Sequence, residues 1–456
     1  MVTKRLIVVG GDAAGMAAAS TAKKRLGEAL EVLVFERGGW TSYSACGIPY
    51  WVSGVVEGPD ALVARSPEEH RANGIDVRMG AEVLVIGPHT RSVEVRDADG
   101  SMSRHEYDDL VIATGAEPIR PPLPGIDADG IHGVQTLDDG VAILDALGKD
   151  PRRAVVVGSG YIGIEMAEAC TQRGLETTVV DQALTPMGLL DADLGAKVHE
   201  AMSKMGMDVR MSTPVREFAT KDGHVSGVVT DDAVIDADIV ILGVGVRARG
   251  TLAADAGLPI GATGAIRVDS HQRVDVDSRI WAAGDCVESY DRMRRSHVHV
   301  PLGTHANKQG WIAGRNLATG PQEELAEFPG IVGTAVTKVC DFEIGISGLG
   351  EQAAREAGFD PVAVSVETTT RAGYFPDAQP MTIKMVADRD SRRVLGAQIV
   401  GRDGSALRID TVAMALWSEI TVDALMMSDL AYAPPFSSVW DPVQVAARAL
   451  ASKLGY

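Results

Sequence analysis

At 456 residues, with 45% apolar and only 5% aromatic side chains, the chain is long enough for two or three domains, and its 50 glycines suit α/β units with tight strand-to-helix turns. A net charge of −19 argues against nucleic acid or an anionic membrane as partner, and no apolar run reaches the roughly 18 residues of a membrane span. Cys46, Cys170, Cys286 and Cys340 are scattered without metal-ligand spacing, which excludes a disulfide scaffold and makes the cytoplasm the expected setting.

The chain opens on a basic stretch, residues 1–5, and then Leu6-Ile7-Val8-Val9. This apolar run is too short for a signal peptide and ends in a glycine turn, so it reads as a buried strand. Gly10-Gly11-Asp12-Ala13-Ala14-Gly15 follows, then an Ala-rich helical stretch to Arg25, and a second strand over 31–35 ended by Glu36. Strand, glycine turn, helix, strand and acid is the order of a dinucleotide-binding unit. The glycines let backbone approach a pyrophosphate at the helix N-terminus, and the carboxylate accepts from a ribose hydroxyl. The middle glycine of G-x-G-x-x-G is Asp12 here, so this turn alone is a weak signal, and an ordinary strand-to-helix turn is the alternative.

Ten residues after Glu36, Cys46 lies in Ser42-Tyr43-Ser44-Ala45-Cys46-Gly47-Ile48-Pro49-Tyr50. A thiol in that company reads as a redox nucleophile over a flavin ring rather than as a small buried hydrophobe. The other three cysteines read as packing residues. Residues 60–77 read as helix and loop, 81–86 and 92–95 as short strands, and 109–112 as a buried strand ending in Ala113-Thr114-Gly115.

Residues 153–157 lead into Gly158-Ser159-Gly160-Tyr161-Ile162-Gly163, where all three glycines are present. A helix to Cys170 and a strand over 177–180 follow, ending in Asp181, 23 residues after Gly158. In this context the signal is strong. A carboxylate at Asp181 accepts from the 2′-hydroxyl of NAD and repels the 2′-phosphate of NADP. No Arg, Lys or His stands between 181 and 189, so NADH is expected before NADPH. Two such units in one chain suggest one flavin and one nicotinamide.

Residues 239–246 form a strand and Gly-rich turn, and 280–285 a strand ending in Gly284-Asp285, where Asp285 reads as the acid on the flavin ribityl chain. Residues 301–308 open a helix whose N-terminus would face the ring and stabilise negative charge on it. His297 and His299 alternate beside Arg292, Arg294 and Arg295. Further ligands are missing, so they read as a loop or substrate rim rather than a metal site. From about residue 328 onward no nucleotide motif occurs. Strands over 380–386 and 393–399 and a helix over 405–419 read as a small α+β packing domain.

In this order the motifs resemble the pyridine nucleotide-disulfide oxidoreductases over the whole chain. The Cys46 stretch is similar to the single-cysteine branch of coenzyme A-disulfide reductases, NADH peroxidases and NADH oxidases. Trp51 holds the place of the second cysteine in C-x-x-x-x-C, so no internal disulfide can form. The run Cys46 to Tyr50, Tyr374 before Phe375-Pro376, and Tyr432-Ala433-Pro434-Pro435 are most similar to the coenzyme A-disulfide reductases.

The resemblance implies an α/β fold with two Rossmann-like domains: an FAD domain over 1–117 and 247–322, and an NAD domain over 118–246. A C-terminal α+β dimerisation domain over 323–456 would build a homodimer with shared active sites, Tyr374 and Tyr432 reaching the partner's Cys46. It assigns Gly10, Ala14, Gly15, Glu36, Arg37, Val83, Thr114, Gly115, Asp285 and Ala306 to FAD. Gly158, Gly160, Tyr161, Ile162, Gly163, Glu165, Asp181 and Gly245 go to NADH, with Tyr161 covering the nicotinamide pocket. Lys24, Ser42 and Asn307 go to the substrate, and no metal is implied.

The implied activity is NAD(P)H-dependent reduction of a low-molecular-weight disulfide, either coenzyme A disulfide or a persulfide or polysulfide. Cys46 would act as a thiolate whose pKa the flavin and helix N-termini lower. An NADH oxidase or peroxidase is the alternative, although their His in the first glycine turn is Ala13 here. The Asn before the cysteine and the Lys after Tyr-Ala-Pro-Pro of the coenzyme A reductases are Ala45 and Trp440. A ferredoxin-type reductase or a non-catalytic flavoprotein would not need Cys46. From Asp181 the expected outcome is a higher kcat/KM with NADH than with NADPH, and a preference for NADPH in steady-state kinetics would remove that reading.

Overall fold

The computed structural model describes residues 3–456; Met1 and Val2, where the basic opening begins, lie outside the described residues. Lys4–Val9 forms a strand that is buried from Leu6 onward. It pairs in parallel with Leu30–Glu36 on one side and Asp109–Ile112 on the other. Asp76–Met79 and Ile280–Ala282 continue the parallel sheet, and Arg273–Asp275 pairs antiparallel at its edge. The six-stranded sheet thus draws on two stretches of chain.

Two strands here lacked a sequence signal. Asp76–Met79 falls at the end of the stretch read as helix and loop, and buries only Val77. Met102–Glu106, which completes a three-stranded sheet with Glu82–Gly87 and Ser92–Arg96, buries no residue at all. A strand recruited for its backbone hydrogen bonds carries no hydrophobic period.

The second unit repeats the plan with five parallel strands, in the order Asp208–Arg210, Glu176–Val180, Arg153–Val157, Ile239–Leu242 and Ile131–His132. The chain enters and leaves this unit through one antiparallel ribbon, Ala116–Pro118 against Val246–Ala248, in which Glu117 faces Arg247. The helices Ala13–Leu26 and Gly303–Leu317 approach closely because the second carries Gly310 and Gly314. A Cβ there would stand 2.2 and 2.3 Å from the carbonyl oxygens of Ala14 and Ala18. That contact brings Ala306 beside the first glycine turn.

The third module is an antiparallel sheet in the order Ala335–Val339, Phe342–Gly348, Val394–Gly401, Pro380–Asp388, Pro361–Thr369. Helices Ile409–Trp417 and Pro442–Lys453 pack on it. The expected helix over 405–419 appears as a short turn, Ala406–Arg408, running into Ile409–Trp417. No helix among the described residues is long and apolar enough to cross a membrane.

The core ignores these module boundaries. One apolar cluster joins Ile48, Trp51 and Val52 to Leu137, Ile143, Ile164 and Ala167 of the second unit and to Val339, Ile344, Ile346 and Val400 of the third. A polar clamp adds to it. Lys384, 10% exposed, places its Nζ 3.0 Å from Asp191, 2.9 Å from Asp193 and 2.9 Å from Glu351. Hydrogen bonding to Lys384 holds the Glu351 carboxyl below its ordinary pKa. Lys384→Met leaves these carboxylates facing one another. The expected loss is on the order of 2 kcal/mol, held below the roughly 3–5 of a fully buried pair by the exposure of Asp193. The thermal midpoint should fall at pH 7, and the gap should narrow toward pH 4 as the carboxylates protonate. An unchanged midpoint would show that the cluster contributes nothing.

Candidate functional site

The two glycine turns are built alike. Gly10 has φ 106°, and a Cβ on it would lie 2.1 Å from the carbonyl oxygen of Ala113; one on Gly15 would lie 2.0 Å from that of Gly10. Gly158 and Gly163 repeat this, with 2.4 Å to Gly243 O and 2.0 Å to Gly158 O. At the end of the second strand, Glu36 accepts from the backbone N–H of Gly11 and of Gly38, both at 2.7 Å. Asp181 accepts from Ser159 N at 2.7 Å, Ser159 Oγ at 2.6 Å and Ala183 N at 2.9 Å. Each acid is thereby fixed at the mouth of its turn with lone pairs left for ribose hydroxyls. A Cβ on Gly160 would meet nothing within 4 Å, which explains how Asp12 fits the matching place in the first turn.

Both turns open into one cavity of about 2290 Å³. Of the residues assigned to FAD, Gly10, Ala14, Glu36, Arg37, Val83, Thr114, Gly115, Asp285 and Ala306 line it; of those assigned to NADH, Gly158, Gly160, Tyr161, Ile162, Glu165, Asp181 and Gly245 do. Gly15 and Gly163 lie under their turns. Two backbone cradles with a helix N-terminus and a strand-end carboxylate fit two dinucleotides, and the volume they share fits a flavin against a nicotinamide.

Asn307 lines the cavity, whereas Lys24 and Ser42 do not. Lys24 is exposed in the last turn of its helix. Ser42 Oγ lies 2.9 Å from Nε2 of buried His70. Tyr374 and Tyr432 stand outside the cavity, 78% and 46% exposed, and Tyr374 beside it pushes the Tyr432 phenol up in pKa. Among the described residues no group of three or more His, Cys, Asp or Glu is placed to hold a metal.

Cys46 sits in the turn Ala45–Gly47 ahead of the helix Ile48–Ser53. It faces the cavity, while Cys170 and Cys286 are buried. The first glycine turn holds its segment directly. Ser42 N donates to Gly11 O at 3.2 Å, Thr41 Oγ1 donates to the same oxygen, and Tyr43 N donates to Asp12 Oδ1 at 3.0 Å. Trp51 is a packing residue, so close to Gly140 that a Cβ there would come within 2.6 Å of the indole.

Partial burial at the cavity wall, and then the carboxylates of Glu165 and Asp285, push the Cys46 thiol up in pKa, although it stays exposed to the cavity; the lowering expected from the flavin belongs to the FAD-bound site. Burial raises Glu165 and Asp285 themselves, opposed by Thr337 hydrogen bonding in the first and by His299 in the second. Burial also pushes Tyr161 up to about 12.

Sequence reasoning missed Thr337 and Lys338. Thr337 Oγ1 donates to Glu165 at 2.6 Å across a separation of 172 residues. Lys338 Nζ lies 3.1 Å from Glu168 and 5.9 Å from the centre of the Tyr50 ring. Only the packing of the third module on the helix Tyr161–Gln172 brings them to the cavity, and no local pattern encodes that.

Residues 4–310 match the pyridine nucleotide-disulphide oxidoreductase family, and residues 334–443 match the family's dimerisation domain. An NAD(P)H coenzyme A polysulfide/persulfide reductase of Pyrococcus horikoshii is 38% identical over 98% of either chain. An NADH oxidase of Methanocaldococcus jannaschii is 35% identical over 99% of either chain. Among solved structures, an NAD-dependent persulfide reductase from A. fulgidus superposes with a TM-score of 0.95 at 36% identity, covering 98% of this chain and 83% of that one. A water-forming NADH oxidase from Lactobacillus brevis, bound to NADH, gives 0.93 at 29% identity and 99% of either chain.

Glu165→Gln removes the largest charge acting on Cys46. The thiol pKa should fall, so that alkylation by iodoacetamide at fixed pH speeds up. An unchanged rate would place Glu165 too far away to matter.

Proposed function

The chain belongs to the pyridine nucleotide-disulphide oxidoreductases, FAD-dependent enzymes that draw on NADH or NADPH, and on that premise we propose that it uses NADH to reduce a low-molecular-weight disulfide or persulfide through Cys46. The observation that carries this reading is that Cys46 opens onto the one cavity shared by both dinucleotide cradles. The sulfur substrates in the names of the Pyrococcus horikoshii and A. fulgidus proteins support it.

FAD, when bound, carries two electrons from the nicotinamide to sulfur. The Cys46 thiolate attacks one sulfur of R–S–S–R, the S–S bond breaks, and RS⁻ leaves and is protonated to RSH. Cys46 is left as a mixed disulfide. Two electrons and one proton restore its thiolate and release the second RSH. Thr337 donates to Glu165 and Lys338 pairs with Glu168, which ties the helix Tyr161–Gln172 to the third module beside the cavity. NADH is favoured because Asp181 closes the second cradle, and Arg216, which also lines the cavity, is held bidentate by Asp231 at 2.7 and 2.8 Å. A second copy of the chain would bring Tyr374 and Tyr432 to the cavity, with Tyr432 protonating the leaving thiolate. Their exposure in one chain leaves them open to such a contact.

The Methanocaldococcus jannaschii relative favours a second reading, an NADH oxidase. Ala13, in place of the acid expected for oxygen chemistry, weighs against it. Oxygen consumed per NADH distinguishes the two.

Cys46→Ser should keep FAD and still be bleached by NADH. It should lose disulfide reduction by on the order of a thousandfold, about 4 kcal/mol of barrier, because a hydroxyl neither ionises near neutral pH nor forms a disulfide. Stopped-flow absorbance with NADH and then disulfide reads both steps. Turnover at the parental rate would make Cys46 a packing residue.

A further inference from the structure

The first glycine turn departs from the dinucleotide fingerprint at one residue. Asp12 stands where the second unit has Gly160, just before the helix Ala13–Leu26, in extended backbone. One carboxyl oxygen accepts from Tyr43 N, and the side chain lines the cavity. This is where a dinucleotide's pyrophosphate meets the helix N-terminus. An ionised carboxylate there repels phosphate oxygens, whereas a carboxylic acid donates to them.

The groups around Asp12 are mostly acidic. Glu36 ends the adjoining strand, Asp285 lies in the turn after the strand Ile280–Ala282, and the Tyr43 hydroxyl and Cys46 thiol belong to the cysteine segment. His299 spends its Nε2 proton on the backbone oxygen of Asp285. The nearby cations Arg37 and Arg249 face Glu82 and Glu117. Burial first, with the charges of Glu36 and Asp285, outweighs the hydrogen bonds from the N–H groups of Tyr43 and Ala13 and pushes Asp12 up to about 7.

We propose that Asp12 takes part in FAD binding as the neutral acid, keeping Tyr43 N on one oxygen and donating its proton to a pyrophosphate oxygen, so that holding FAD and holding one proton are linked. This rests on the first cradle being the FAD site. No covalent bond changes, and the proton comes from solvent. Below about pH 7 Asp12 is protonated with or without FAD, and affinity is level. Above it the FAD-free protein is ionised, binding takes up a proton, and Kd rises toward tenfold per pH unit.

The holoprotein is diluted into buffers of constant ionic strength from pH 6 to 9, and FAD released at equilibrium is read by its fluorescence. The native protein should show a level Kd up to about pH 7 and a rise beyond it. Asp12→Asn, whose amide can make both contacts, should match the native Kd at pH 6 within a few-fold and stay level to pH 9. Asp12→Gly should also lack the slope, and circular dichroism checks that both variants are folded. A level native Kd, or a slope that survives in Asp12→Asn, overturns the proposal and leaves the FAD site standing. Failure of the native protein to hold FAD at any pH overturns the site and the proposal together.

Discussion

The helix Tyr161–Gln172 is clasped from three directions, and the cavity takes its shape from that clasp. It buries Ile164, Met166, Ala167, Ala169 and Cys170. Beneath it runs the strand Arg153–Val157. Ile48, Trp51 and Val52 of the cysteine helix press on it from the first unit, and the strand Ala335–Val339 presses from the third. Each large apolar side chain buried there contributes roughly 1.5–3 kcal/mol, so shifting Cys46 against the second cradle would expose several at once. The distance between the sulfur and the second cradle is therefore fixed by a core that no single domain owns.

Electrostatics in the cavity run against a simple expectation. A site for two anionic dinucleotides is lined by Asp12, Glu36, Glu165, Asp181 and Asp285. Favourable charge comes instead from backbone N–H groups and helix N-termini, which no residue count reveals. Two of the acids, Glu36 and Asp181, are themselves held by backbone N–H groups, which orients them as acceptors for hydroxyls. The remaining acids act on sulfur. Together with burial, which is the larger cause, their charges push the Cys46 thiol up in pKa.

The link between the first cradle and the cysteine is short and made of backbone. Gly11 O and the Asp12 carboxyl receive Thr41, Ser42 and Tyr43 in succession. Whatever occupies the first glycine turn is felt three residues from Cys46. Ser42 has φ 50°, a strained value for a residue with a side chain, and its tie to His70 helps hold it there.

Local sequence determined the two cradles. Their glycines are required because a Cβ at Gly10, Gly15, Gly158 or Gly163 would strike backbone within a few residues or on the next strand, and that requirement is written in the motif. The acids at the strand ends, the isolated Cys46 and the α+β character of the last module were legible for the same reason, since each depends on residues close in the chain. Tertiary structure decided what those parts do to one another. It put Thr337 on Glu165, removed Lys24 and Ser42 from the cavity wall, and set carboxylates around Cys46. Burial and the charges of Glu165 and Asp285, residues 119 and 239 positions away, push the Cys46 thiol up. Such long-range terms depend on distance through the fold, which spacing along the chain does not carry.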